Sequence, residues 1–111
     1  MLVEQFNAFS PLPGVKVNGE LTLGENIGDL GGLSIAYKAW KISLAGKSSP
    51  VIDGLTGDQR FFMGWAQAWR TKARDEYLRN QVMADPHSPA EFRANAPLSN
   101  IDAFYEAFGV K

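Results

Sequence analysis

Glu25 and Asp29 set the first chemical question. They lie four residues apart, so on a helix their side chains differ in direction by only about 40°. Gly32 and Ala36 continue the same line. Two carboxylates are thus followed by two positions with almost no side chain, a surface on which another helix or a buried ion can approach the backbone closely. The plainest account is a solvated helix start, where acidic residues favour the positive end of the dipole. Against it, Gly24, Gly28, Gly31 and Gly32 sit in or beside this segment, and an interior helical glycine costs up to ~1 kcal/mol relative to alanine. Such a cost points to a packing requirement. The carboxylates also border an apolar stripe and should be partly buried, and a buried carboxylate needs a cation or hydrogen-bond donors. Neither Lys38 nor Lys41 lies on that side, so the partner must come from elsewhere.

His87 and Arg93 are the other candidates. By position alone, His87 is an exposed loop residue beside a helix cap, or an acid–base partner of Asp29 in a metal-free enzyme. Arg93 is equally a surface ion pair with Glu91 or Asp85. A catalytic zinc commonly takes two or three His ligands, and His87 is the only histidine. This sequence therefore cannot complete such a site alone. It has no cysteine, which excludes disulfides, thiolate metal sites, redox pairs and a cysteine nucleophile.

The elements that must position these residues are mostly helical. Val3 to Phe9 has the pattern of a helix tail, ended by Pro11 and Pro13–Gly14. Val15 to Leu23 alternates loosely around Asn18–Gly19, which predicts a short hairpin. From Glu25 the period changes: Ile27, Leu30, Leu33, Tyr37, Trp40 and Leu44 recur at steps of three and four, a helix stripe. Gly46 and Ser48–Ser49–Pro50 end it. Thr56 and Gln59 have capping-box spacing and predict a helix from Gly57 through Trp69. Asp75 to Met83 continues as helix. Ser88, Pro89 and Glu91 form another start signal, with Ser88 as the cap. Ser99 and Asp102 repeat the pattern before a final helix from Ile101 to Phe108. Trp40, Trp65 and Trp69 are expected in the core. The fold class is mainly α, four to five helices with a possible short N-terminal hairpin.

Composition bounds the rest. The chain has 111 residues, 45% apolar and 21% charged, which suits one globular domain and argues against wholesale disorder. Its formal net charge is −1, so a general electrostatic nucleic-acid binder is not expected. Lys38, Lys41, Lys47, Arg70, Lys72, Arg74 and Arg79 make a solvated, mildly basic surface. No stretch reaches the ~20 predominantly apolar residues of a membrane span, and the opening residues lack the basic region of a signal peptide.

The string Val17-Asn18-Gly19-Glu20-Leu21-Thr22-Leu23-Gly24-Glu25-Asn26-Ile27-Gly28-Asp29-Leu30-Gly31-Gly32-Leu33 closely resembles the neprilysin-like zinc metallopeptidases, the M13 family. Gly28 stands where that family usually has alanine. Ala66-Gln67-Ala68-Trp69, then Asp85-Pro86-His87-Ser88-Pro89 and Phe92-Arg93, are similar to later blocks of the same family, in the same order. The resemblance implies the C-terminal part of a zincin-like catalytic domain over residues 1–111, and a zinc-dependent endopeptidase acting on oligopeptides. It implies Glu25 as the third zinc ligand. Asp29 matches the carboxylate that holds a zinc-binding histidine and is often assigned proton-donor duty. His87 matches the donor to the tetrahedral oxyanion, and Arg93 the arginine that grips a substrate carbonyl. Zinc bound by two His and one Glu keeps a position for water and lowers its pKa towards ~7.

The family's H-E-x-x-H helix, with two zinc-binding histidines and the general-base glutamate, is absent from this sequence. The sequence therefore resembles a C-terminal fragment whose partners are a peptide substrate and the N-terminal part of the same catalytic domain. Alone it is expected neither to cleave peptides nor to hold zinc tightly, and the line Glu25–Asp29–Gly32–Ala36 should lack its packing partner. The chain ends at Lys111, just short of the terminal aromatic segment of relatives. The absence of cysteine suggests the bacterial branch, where a periplasmic or exported location is expected above a cytoplasmic one. The alternative is a helical interaction module without catalysis.

Overall fold

The computed structural model describes residues 1–110; Lys111 lies outside the described residues. Six α-helices follow in order: α1 (Leu2–Asn7), α2 (Leu23–Ser43), α3 (Gly57–Ala68), α4 (Asp75–Ala84), α5 (Ala90–Asn95) and α6 (Asp102–Phe108), with a 3₁₀ turn at Leu98–Asn100 before the last. The mainly α class expected from the sequence is what forms. No strand is present among the described residues, only isolated bridges at Leu12–Val15 and Ile52–Leu55.

The predicted hairpin at Val15–Leu23 does not form. Asn18 Oδ1 accepts the backbone N–H groups of Glu20 and Leu21 at 3.1 and 3.0 Å, and the Asn18 carbonyl accepts Thr22 N at 3.1 Å. A side chain that captures two consecutive N–H groups takes the donors a ladder would use. The turn therefore runs straight into α2. Gly19 is required there for contact reasons: its N–H donates to Asn7 Oδ1 at 2.7 Å, and a Cβ would collide with the Val3 carbonyl oxygen.

Two apolar clusters hold the helices. Phe6, Val17, Phe92 and Ala96 join α1, the following loop and α5, with Phe9 stacked on Phe92 at 4.7 Å. Leu33, Phe62, Leu98 and Ile101 join α2, α3 and α6. α3 is begun by the expected capping box: Thr56 Oγ1 accepts Gln59 N at 3.2 Å and Gln59 Oε1 accepts Thr56 N at 3.0 Å. Gly57 is buried because a Cβ would lie 2.5 Å from Ser49 Cβ. α2 ends where Ala45 and Gly46 take positive φ of 49° and 79°.

One face of α2 has no neighbour among the described residues. Ile27, Ile35 and Ile42 are 53, 72 and 69% exposed, and a Cβ at Gly24, Gly28, Gly31 or Gly32 would meet nothing within 4 Å. Ile27 was expected in the buried stripe and is outside it, because that turn presents Asn26 and Asp29 to the body, where Ser88 and Arg93 meet them. The radius of gyration is 15.6 Å, against about 13 Å for a compact chain of this length, so the molecule is elongated. No helix among the described residues is long and apolar enough to cross a membrane.

Tyr37 ties α2 to α3. Its hydroxyl donates to Asp58 Oδ1 at 2.9 Å, and Lys41 Nζ donates to the same oxygen at 3.1 Å. Burial, then the bond to Asp58, push the Tyr37 hydroxyl up to about 12. The folded value lies above the unfolded value of about 10. The associated stability is thus complete below about pH 10 and is lost as pH rises through the folded value. Tyr37→Phe should cost about 1 kcal/mol at neutral pH and flatten this alkaline decline, as followed by denaturant midpoints against pH. An unchanged alkaline slope would show that Tyr37 is not its source.

Candidate active site

Glu25 and Asp29 lie on the first turns of α2. Asp29 is the better covered, its side chain 10% exposed against 45% for Glu25. The donor it required is Arg93, from α5. Arg93 Nε donates to Asp29 Oδ2 at 2.7 Å and Nη2 to Oδ1 at 2.6 Å. Two parallel charge-assisted bonds fix both planes at once. The Asp29 bond holds the Arg93 guanidinium above its ordinary pKa, against the opposing effect of burial. The surface pairs of Arg93 with Glu91 or Asp85 considered from the sequence do not form; its nearest other carboxylate oxygen is Glu25 Oε2 at 4.0 Å. The face of the guanidinium lies over the Trp69 ring, 4.1 Å from its centroid.

His87 arrives on the loop between α4 and α5. Its Nε2 lies 3.3 Å from Glu25 Oε2, and its Nδ1 lies 2.7 Å from Asp85 Oδ1. Asp85 Oδ1 also accepts the His87 backbone N–H at 2.8 Å. That backbone bond, then the ring bond, keep the Asp85 carboxyl below the usual carboxylate range. Both ring nitrogens thus face carboxylate oxygens, which only accept, so each contact is a hydrogen bond when that nitrogen carries a proton. The four residues singled out from the sequence thus gather at one end of α2, although His87 and Arg93 are far along the sequence from Glu25 and Asp29.

Four features were missed. Asp85 was weighed only as an ion-pair partner of Arg93, and the readable signal was the Asp-x-His spacing of an Asx-type turn. Ser88 was expected to cap α5, but Pro89 occupies the cap position and no side chain caps that helix; the Ser88 hydroxyl instead donates to Asn26 Oδ1 at 2.9 Å. Ser99 likewise does not cap α6, where Ile101 holds that position, and its hydroxyl donates to the Ala96 carbonyl at 2.7 Å. Trp69, expected in the core, is half-buried and lines a cavity of about 610 Å³ together with Tyr77, Leu78, Gln81, His87 and Arg93. Trp65 is the tryptophan that serves the packing, its Nε1 donating to the Arg93 carbonyl at 3.0 Å.

A family model described as Peptidase family M13 matches residues 1–111. Endothelin-converting enzyme 1 of Homo sapiens is 44% identical over 111 residues, which cover 96% of this chain and 14% of that protein. Neprilysin-21 of Caenorhabditis elegans is 39% identical over 100 residues, covering 85% of this chain and 13% of that protein. The structure of the Mycobacterium tuberculosis zinc metalloprotease ZMP1 in complex with inhibitor superposes with a TM-score of 0.96 at 55% identity, over 99% of this chain and 18% of that one. The chain thus spans less than a fifth of the length of these relatives. With a family match along its whole length, this chain belongs to peptidase family M13.

Proposed function

We propose that residues 1–111 form the C-terminal portion of the catalytic domain of a zinc-dependent metalloendopeptidase that hydrolyses oligopeptides. One observation carries this reading. Glu25, Asp29, His87 and Arg93 converge on one end of α2 with their polar atoms facing a shared space. Surface charges scattered for solubility have no reason to gather in that way.

In this reading Glu25 is one leg of the zinc site. Its carboxylate is 45% exposed and pairs only with the His87 ring and, at 4.0 Å, with Arg93; an accessible oxygen donor of this kind suits zinc. Among the described residues no group of three or more His, Cys, Asp or Glu could hold a metal ion. The two histidines and the general-base glutamate therefore belong to an H-E-x-x-H helix in polypeptide beyond this sequence. Zinc supplies a Lewis acid that activates water and polarises the scissile carbonyl. The exposed glycine-lined face of α2 is the surface on which the rest of the catalytic domain packs. The same reading gives the whole protein an exported or periplasmic location.

The chain's own residues take the remaining roles. His87 keeps Nδ1 on Asp85 and turns Nε2 to the oxyanion that develops on the scissile carbonyl, where an Nε2–H donates. Arg93 spends Nε and Nη2 on Asp29. Its Nη1 makes no hydrogen bond among the described residues and is the donor for a substrate backbone carbonyl on the leaving-group side. Asp29, held by Arg93, keeps further lone pairs for the N–H of a zinc-binding histidine. The isolated chain should neither cleave peptides nor retain zinc.

The test is to express the full reading frame and assay peptide cleavage with and without a chelator. Chelator-sensitive cleavage, together with an upstream H-E-x-x-H, is the expected result. A reading frame with no imidazole pair able to reach Glu25 would leave only a helical interaction module.

A further inference from the structure

We infer that Asn26 and Ser88 are positioning residues, which set His87 at its working distance from Glu25 through a bond hidden beneath both. Thr22, Asn26 and Ser88 are the three buried polar side chains among the described residues, at 3, 2 and 1% exposure. They form one directed chain. The Ser88 hydroxyl donates to Asn26 Oδ1 at 2.9 Å, Asn26 Nδ2 donates to Thr22 Oγ1 at 2.9 Å, and the Thr22 hydroxyl donates to the Asn18 carbonyl at 2.9 Å. The first of these bonds joins residues 62 positions apart. Asn26 directly follows Glu25, and Ser88 directly follows His87. Each buried partner is therefore one peptide unit from one of the two groups that must face each other.

The exposed contact cannot do this alone. The His87 and Glu25 side chains are 46 and 45% exposed and 3.3 Å apart, and ion pairs so open to water hold geometry weakly. A hydrogen-bonded chain in a low-dielectric interior is stronger and leaves costly unpaired groups if it slips. The use made of Ser88 points the same way. Its place before Pro89 would let its hydroxyl cap α5, yet α5 has no side-chain cap, so the stabilisation a cap gives is forgone. Gln81 Nε2 secures the same loop from α4, donating to the His87 carbonyl at 3.2 Å.

The inference rests on the proposed peptidase function and is tested in the full-length protein by a double-mutant cycle on a fluorogenic peptide. Ser88→Ala should lower kcat about tenfold, the low end for residues that orient catalytic groups, with KM and zinc content unchanged. In a His87→Ala background the same Ser88→Ala change should alter kcat less than about twofold, because residues acting through one another are not additive. An equal loss with and without His87 would mean a general structural role and overturn the inference while leaving the peptidase reading intact. A His87→Ala enzyme at wild-type rate would overturn the inference and the role given to His87, whereas loss of chelator-sensitive cleavage in the unmutated protein would overturn the peptidase reading. If Ser88→Ala does not accumulate as folded protein, Thr22→Val, which keeps the volume and unpairs Asn26 Nδ2, carries the same cycle with the same criterion.

Discussion

Replacing Glu25 by Gln in the full-length protein should abolish zinc retention and peptide cleavage together. Replacing His87 by Ala should leave zinc near normal while slowing turnover about a hundredfold to a thousandfold, the usual loss for one oxyanion donor. The contrast follows from where each side chain sits. Gln keeps the shape of Glu but removes the anionic oxygen that zinc needs. Glu25 is 45% exposed, so its substitution should not disturb the fold. His87 touches Glu25 only through its ring, and Asp85 remains bonded to the backbone N–H at position 87 when the ring is gone. The loop therefore keeps an anchor. Zinc content by atomic absorption and kcat on a peptide decide the matter. Stoichiometric zinc in the Glu25→Gln protein, or wild-type rates in both variants, would remove the assigned roles.

The helices were legible because their signals are local. The Thr56–Gln59 capping box and the spacing of Leu30, Leu33 and Tyr37 act within a few turns, and α2 and α3 form as expected. Failures fall where a competing hydrogen bond or a missing packing surface overrides the expected signal. Asn18–Gly19 has the composition of a hairpin turn, but Asn18 captures the N–H groups of Glu20 and Leu21 while Gly19 packs beneath α1. Ser88 has the position of a cap, but Asn26 offers a buried acceptor. Ile27 has the spacing of a core residue, but burial needs a second surface and none is there. At the site, Glu25 and Asp29 stood out by their spacing on one helix line, but their roles, and those of His87 and Arg93, came only from the resemblance of whole motifs. The bond between Asp29 and Arg93, 64 positions apart, leaves no trace in spacing. The sequence did require a donor for Asp29 from outside its own helix, without saying which.

That bond yields the largest expected effect on stability. Arg93→Ala should destabilise the protein by about 3 kcal/mol, the lower end of the range for breaking a buried ion pair. The Arg93 and Asp29 side chains are 14 and 10% exposed, so in the intact protein the pair is largely shielded from water. It also keeps a charge that no other donor in hydrogen-bond reach satisfies, since Arg93 makes both of its bonds. Loss of the guanidinium over Trp69 at 4.1 Å adds about 0.5–1 kcal/mol. Adding Asp29→Asn should restore part of the loss, because it removes the uncompensated charge itself. Arg93→Lys should fall between, keeping the charge but not the two-pronged fit. Denaturant midpoints for the four proteins form the measurement. An Arg93→Ala protein within about 0.5 kcal/mol of wild type, the scatter of ordinary surface substitutions, would mean that solvent competes successfully for both groups. The end of α2 would then lack the rigid Asp29–Arg93 frame on which the proposed substrate contact through Arg93 Nη1 depends.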